Sequence, residues 1–176
     1  MIRRMKSILR DRAGTAGIEF AITAPVIILL FLGGVTLFDI FRSYQKIIEA
    51  NSVVADLISR QTSIDKAYFD TMYGVFTNLQ ADPTATRALR VSSVTRSGSN
   101  YVVAWSKVAG SEALLPTQKL DTQTLPNITS GDSIIYVEGS AEFPVMLSIL
   151  GFGKIVYHQT AFTRPRFIGA VAYTGS

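Results

Sequence analysis

One carboxylate stands at the start of a long uncharged stretch, at a spacing that could support chemistry. Glu19 follows Gly14 by five positions, and the residues between them are small or apolar. Cleavage after Gly14 would create an ammonium group at Thr15, about one helical turn before Glu19. A lone carboxylate deep in a membrane costs roughly 2.5–3.5 kcal/mol, so this cation would neutralise it within a molecule or between neighbours. Without cleavage, Glu19 would lie at headgroup level and favour the helix N-terminus through the helix dipole.

The other candidate residues do not form a recognisable catalytic or metal-binding set. The chain has one histidine, His158, and no cysteine, whereas a nucleophilic triad or a transition-metal site needs further members. Residues 151–154 (GFGK) lack the surrounding residues that a phosphate loop requires. Glu138 and Glu142 are interpreted as the solvated face of a strand, and Asn127 as the start of a chance glycosylation sequon. We therefore expect no enzyme activity, no cofactor and no metal.

The uncharged stretch is long enough to cross a membrane once. Residues 20–38 contain no charge, and at about 1.5 Å per residue they span roughly 28 Å. Five basic residues and one acidic residue precede them in residues 1–14, so the positive-inside rule predicts a cytoplasmic N-terminus and an external C-terminal part. A cleavable secretory signal peptide is the alternative, but no A-x-A-like site follows the run.

The net charge of +4 belongs to the N-terminal cluster. Lys and Arg number 17 and Asp and Glu 13, so residues 15–176 hold 12 of each and are formally neutral. The external part therefore has no excess of positive charge for nucleic acid, and the basic cluster is explained by topology and acidic lipid headgroups. Without cysteine, the external domain must be held together by packing or by partners.

Helical periodicity continues beyond the membrane segment. The first helix is predicted from Gly17 to about Arg60, with an amphipathic outer half that must pack against something. Its apolar positions recur at spacings of three, four or seven, at Ile40, Tyr44, Ile47, Val54 and Ile58. A second helix is predicted over residues 63–79, with Ser63 as the cap and Asp65 in the first turn. Its apolar face is predicted at Tyr68, Phe69, Met72, Tyr73, Phe76 and Leu79.

After a break at residues 81–84 the pattern changes to short strands. Strands are predicted over residues 88–96, 101–107, 133–143 and 155–163, the first two forming a hairpin around residues 97–100. Residues 109–132 are interpreted as a long surface connection with one helical turn. In the third strand, one face is predicted at Ile135, Val137, Ala141 and Phe143, and the opposite one at Tyr136, Glu138, Ser140 and Glu142.

These elements predict an α+β fold. It would comprise a long N-terminal transmembrane and amphipathic helix, a second short helix and a small antiparallel sheet of about four strands. The predicted parts are a basic leader at residues 1–14, a transmembrane helix at 15–38, an extension of that helix at 39–61 and an extracytoplasmic α+β domain at 62–176.

Two patches carry a family resemblance. Gly14, four further residues and then Glu19-Phe20 resemble the processing site of type IV pilin-like precursors. The fuller run at residues 12–26 (RAGTAGIEFAITAPV) resembles the TadE-like minor pseudopilins of the tight-adherence (Flp, type IVb) pilus system. Similarity to that family's C-terminal strand pair extends over four further pieces, at residues 131–138 (GDSIIYVE), 143–144 (FP), 151–153 (GFG) and 164–166 (RPR).

The resemblance implies a membrane-anchored assembly subunit. A prepilin peptidase of the bacterial inner membrane would cut after Gly14 and leave Thr15 as the first residue, with Glu19 at the fifth mature position. The other implied partners are minor and major pilins, the inner-membrane pilus assembly platform and membrane lipid. Within the helix, Pro25 loses a backbone hydrogen bond that a neighbour could replace, and Gly33 with Gly34 offers a flat patch for close helix contact.

Two other classes of function stay open at this point. The first is a single-pass, inner-membrane-anchored binding domain unrelated to pili, in which Glu19 is merely interfacial. The second is an extracytoplasmic enzyme, which no constellation of residues supports. An intact N-terminus beside an active prepilin peptidase would favour the first, and turnover that depends on His158 would favour the second.

Overall fold

A computed structural model of the protein describes residues 13–80, 82–117, 125–143 and 153–175, with only the backbone at positions 13 and 14. Several predicted features lie outside these residues. They are positions 1–12 of the leader, part of the long connection, and residues 144 and 151–152 of the C-terminal family similarity. The chain divides into two compact units, and the boundary falls between Asp39 and Ile40.

The first unit is described by helix α1, Ala13–Ser59, which contains Pro25 and continues through the boundary. By length and composition, α1 is the one helix among the described residues that could cross a membrane. Most of its large apolar side chains before the boundary are exposed, such as Phe20, Leu30 and Phe38 at about 70%. The predicted helix began four residues later and ended one residue later than α1 does.

In the second unit, the last part of α1 buries one stripe of side chains. Buried positions recur at spacings of three and four, as an amphipathic helix requires. They are Ile47, Ala50, Asn51, Val54, Ala55 and Ile58. The stripe packs on the second helix and the strands described next. This confirms the prediction that this half of the helix needs a partner surface.

The second helix begins three residues later than predicted. Helix α2 is Lys66–Gln80, and Asp65 caps it because its Oδ1 accepts a bond from the Tyr68 backbone N–H at 2.8 Å. Ser63, the predicted cap, belongs instead to strand β1, Ser63–Ile64. The predicted apolar face is confirmed, since three of its members are buried and the others pack partly buried against the core.

A four-stranded antiparallel sheet completes the α+β fold. Its strands are β2 (Thr86–Ser97), β3 (Asn100–Gly110), β4 (Ser133–Phe143) and β5 (Ile155–Thr163), in the order β3-β2-β4-β5. A two-residue turn that includes Gly98, at φ +62°, joins β2 to β3. A short 3-10 helix, Glu112–Leu114, is the predicted helical turn of the connection. Strand β6, Ala172–Tyr173, pairs in parallel with β1 and was not predicted.

One face of the sheet packs against the helices. The predicted inward residues of β4, namely Ile135, Val137, Ala141 and Phe143, all join this core. From β2, Leu89 and Val91 lie on the same face, and alternation along the strand places Val94 on the other one.

The prediction that the other face of β4 is solvated was wrong. Tyr136, Glu138 and Ser140 are each at most 2% exposed. Leu125 and Ile128 of the connection pack with Tyr136 and Val94 in a second apolar cluster, so the connection covers this face. A central strand covered on both sides is buried throughout, whatever the polarity of its side chains. Only Glu142, in an ion pair of 2.5 Å with Lys154, stays partly exposed.

At Gly139, both helices lie close to β4. A Cβ there would lie 2.1 Å from Asn51 Oδ1 and 2.7 Å from the Phe76 ring. Asn51 is itself held in place, because its Nδ2 donates to the Gln159 carbonyl at 2.7 Å. We therefore expect Gly139→Ala to lower the free energy of unfolding by about 1–3 kcal/mol through overpacking.

Gly74 provides the matched control for this substitution. It lies in the interior of α2, where an added Cβ meets nothing within 4 Å. Gly74→Ala should stabilise the protein by about 0.5–1 kcal/mol through helix propensity. Denaturant titration of the full chain in detergent measures both changes, and a Gly139→Ala variant as stable as the parent protein would contradict the contact.

Candidate functional site

The predicted processing site lies at the start of α1. Gly14 and Thr15 belong to its first turn, and Glu19 and Phe20 follow one turn later with exposed side chains. Helical geometry therefore places position 15 on nearly the same face as the Glu19 carboxylate. The hydroxyl of Thr23 donates to the Glu19 backbone carbonyl at 2.6 Å. This bond does not involve the Glu19 carboxylate.

The predicted helix contacts fall on different faces of α1. At about 3.6 residues per turn, Gly33 lies fourteen residues after Glu19 and within about 40° of its direction. Gly34 lies to the other side of that stripe, and Pro25 points away from it. A Cβ at either glycine would meet nothing within 4 Å. The helix thus groups Thr15, Glu19 and Gly33 on one stripe.

The sheet of the second unit contains a polar cluster that the sequence did not predict as a group. Its members are Arg90, Glu138, Ser140 and His158. Arg90 Nη1 lies 3.1 Å from Glu138 Oε2, and both side chains are 3% exposed. Ser140 Oγ lies 2.8 Å from His158 Nδ1, and His158 Nε2 lies 4.0 Å from Glu138 Oε1. Register explains the cluster, because Arg90 is paired with Glu138 across β2 and β4, and Ser140 with His158 across β4 and β5.

Burial controls the protonation of this cluster. It raises the pKa of the Glu138 carboxyl, and the charge of Arg90 opposes that shift. Burial also lowers the pKa of His158, and Arg90 lowers it further. His158 is therefore held neutral more strongly than an exposed histidine, with its side chain 34% exposed.

The cluster has the residue types of a nucleophilic triad but not its geometry. The hydroxyl of Ser140 is fully buried in a central strand, where a substrate cannot reach it. The carboxylate of Glu138 is bonded to Arg90, and its distance of 4.0 Å from His158 exceeds that of a hydrogen bond. Arg90 Nη2 also donates to the Pro116 carbonyl at 3.0 Å, which fastens the covering connection. We interpret the cluster as structural.

The sequence predicted that Glu138 and Ser140 share one face of β4, because residues alternate along a strand. The sequence carried no indication of which residues of β2 and β5 lie opposite them. Arg90 and His158 therefore could not be assigned to the cluster before the register was known. Among the described residues, no group of three or more His, Cys, Asp or Glu side chains could hold a metal ion.

The lowered pKa of His158 predicts a loss of stability on acidification. Because its proton is bound more weakly in the folded state, its contribution is full above the unfolded pKa of about 6.5 and is lost as pH falls through the lower folded value. His158→Gln should flatten the dependence of melting temperature on pH below about 6.5. Thermal unfolding of both proteins at several pH values measures this, and parallel curves would contradict it.

No protein family, curated protein or solved structure matches the chain. The first unit has an exposed apolar helix with the Glu19 carboxylate near its start, and the second has a packed sheet domain.

Proposed function

We propose that this chain is a TadE-like minor pseudopilin, a non-enzymatic subunit that assembles or initiates an adhesive Flp-type pilus. The observation that carries the proposal is helix α1, Ala13–Ser59. Most large apolar side chains of residues 15–38 are exposed, with one carboxylate among them, Glu19, and one stripe of the last part of the helix is buried against the sheet domain. A helix that serves both as a membrane or filament segment and as the spine of a folded domain needs this change of surface.

Processing after Gly14 would supply a counter-ion for the Glu19 carboxylate. A peptidase on the cytoplasmic side would remove the basic leader and leave an ammonium group at Thr15. Position 15 and Glu19 are one helical turn apart, so the new charge can neutralise the carboxylate in the same or a neighbouring subunit. The uncut chain would carry Glu19 without this cation.

The stripe that contains Glu19 and Gly33 is the surface proposed to meet other pilins. Glycine permits close helix approach, and no part of the described chain would contact a Cβ at Gly33. Pro25, on another face, leaves one backbone carbonyl for a neighbour or a local bend to satisfy. Major and minor pilins and the inner-membrane assembly platform are the proposed partners.

The proposed location is the bacterial inner membrane, with a single crossing, a cytoplasmic N-terminus and an extracytoplasmic domain. Support comes from the five basic residues before the apolar run and from the formally neutral remainder. Helix α1 has the length and composition for this crossing.

Replacing Glu19 by Gln tests the proposal. The change keeps the size of the side chain and removes its charge, so membrane insertion should be unchanged or improved. Pilus assembly should fall at least about tenfold, because a charge pair desolvated in a filament is worth about 1.5 kcal/mol or more. Electron microscopy of surface fibres and immunoblots of sheared fractions measure the loss.

The matched control is Glu49→Gln, because Glu49 is an exposed glutamate of the same helix outside the apolar run. This control should assemble normally. Normal piliation by the Glu19→Gln variant would instead favour the anchored binding domain, since an interfacial carboxylate has no role in assembly. Loss of assembly in both variants would also contradict a specific role for Glu19.

A further inference from the structure

Strand β3 is an edge of the sheet. It pairs with β2 on one side, and among the described residues its backbone forms no hydrogen bond with the backbone of any other segment. Such an edge presents a row of backbone donors and acceptors that an extended chain can pair with. Val102, at 51% exposure, marks its open part.

A cleft of about 470 Å³ adjoins the last residues of this strand. Its walls come from α2, the end of β3 and β6, and they include Lys66, Asp70, Tyr73, Lys107, Gly110 and Tyr173. Gly110, at φ +83°, lets the strand pass close to Tyr73, because a Cβ there would lie 2.6 Å from the Tyr73 hydroxyl oxygen. The cleft is therefore part of the packed domain and continuous with the free edge.

Lys107 supplies the charge of the cleft. Its ammonium lies 4.2 Å from the centroid of the Tyr173 ring, and no carboxylate in the described part of the chain is within ion-pair distance of it. The other lysine, Lys66, is already neutralised by Asp70 at 2.6 Å. The cleft thus contains one cation, Lys107, in a cation–π contact with Tyr173 next to the strand edge.

A second copy of this chain is a poor occupant. Neither edge strand, β3 nor β5, contains an Asp or Glu residue. The residues that flank β5 are Lys154 and Arg164, which are already paired with Glu142 and Asp132, so pairing the two edges would bring no unpaired carboxylate to Lys107. Lysine on an edge strand is a known device against self-pairing. Among the described residues, neither edge strand supplies a carboxylate to Lys107, which favours a different chain as the source of the complementary charge.

We propose that β3 and its adjoining cleft dock an extended, acidic segment of a second protein, which adds a strand to the sheet and places a carboxylate against Lys107. Backbone hydrogen bonds would supply the affinity and Lys107 the choice of partner. This inference does not depend on the pilus assignment, because it uses only contacts within the second unit.

The test uses the full chain in detergent and three synthetic ten-residue peptides of alternating Thr and Val. The peptides differ at one central position, which is Glu, Gln or Lys. Trp105 is the only tryptophan, lies on β3 and stands 5.7 Å from the Tyr173 ring, so its fluorescence reports binding at this edge. Hydrogen exchange of the β3 amides identifies the strand that becomes protected.

We expect the Glu peptide to bind about two- to fivefold more tightly than the Gln peptide, and the Lys peptide most weakly. Lys107→Glu should reverse this order, and Lys107→Gln should abolish it. Lys154→Glu, at the other edge, should leave it unchanged. Thermal unfolding establishes that each variant is folded.

Three results would overturn the proposal. They are no binding of any peptide, the same order of affinities in the Lys107→Glu variant, and protection of β5 instead of β3. Each can occur in a protein that still assembles pili, so failure here is distinct from failure of the proposed function.

Discussion

Replacing Arg90 by Met should lower the free energy of unfolding by about 3–5 kcal/mol. The substitution leaves the Glu138 carboxylate in a site where its side chain is 3% exposed, without its counter-ion. It also removes the donor that binds the Pro116 carbonyl, so the connection over this face loses an anchor. Denaturant titration of the full chain in detergent measures the change.

The pH dependence identifies the cause of that loss. Burial raises the folded-state pKa of Glu138 above its unfolded value near 4.5, and Arg90 opposes the shift. Without Arg90 the folded state binds this proton still more tightly, so the variant should regain stability as pH falls through the raised pKa toward the unfolded value near 4.5. A deficit that does not change with pH would show that packing, not charge, is responsible.

Two further variants complete the test. Replacing both Arg90 and Glu138 by Met should recover most of the loss, because an apolar pair of similar volume needs no counter-ion. Lys154→Met breaks the exposed pair with Glu142 and should cost at most about 1 kcal/mol. If breaking the buried pair costs no more than breaking the exposed one, the cluster does not fasten the sheet.

Replacing Gly14 by Val should abolish processing and leave the whole population fourteen residues longer. The reason is steric and local, since the proposed peptidase must accept the residue immediately before the bond that it cuts. Intact mass spectrometry of protein from membranes that contain an active prepilin peptidase distinguishes the two lengths.

Gly17→Val is the matched control for that experiment. Gly17 is a glycine of the same small-residue stretch, and a Cβ added there meets nothing within 4 Å. This variant should be cut normally after Gly14. Normal cleavage of the Gly14 variant would refute the site, and failure of both would assign the effect to the helix and not to the cut.

Sequence periodicity predicted most of the fold. The bounds of β4 and β5 were predicted at the residues where the structure has them, because alternation and flanking turn residues mark both. Helix α1 was predicted within a few residues of its ends. The two-residue strands β1 and β6 could not be predicted, because two residues carry no periodicity and their pairing joins positions more than a hundred residues apart.

The buried polar cluster shows where such prediction stops. Glu138 was assigned to a solvated face because strand alternation tells which residues share a face, not what covers that face. Its partner Arg90 lies 48 residues earlier and became identifiable only through the register of β2 on β4. Long-range pairing, and the position of the connection over the sheet, are properties of the folded chain as a whole.

The first residue of the protein in native membranes tests the central claim most directly. N-terminal sequencing of material from cells with an active prepilin peptidase should begin at Thr15, with Glu19 as the fifth residue. Protein that begins at Met1, in cells whose fibres form normally, would contradict the account, because the ammonium proposed to neutralise Glu19 would then never exist.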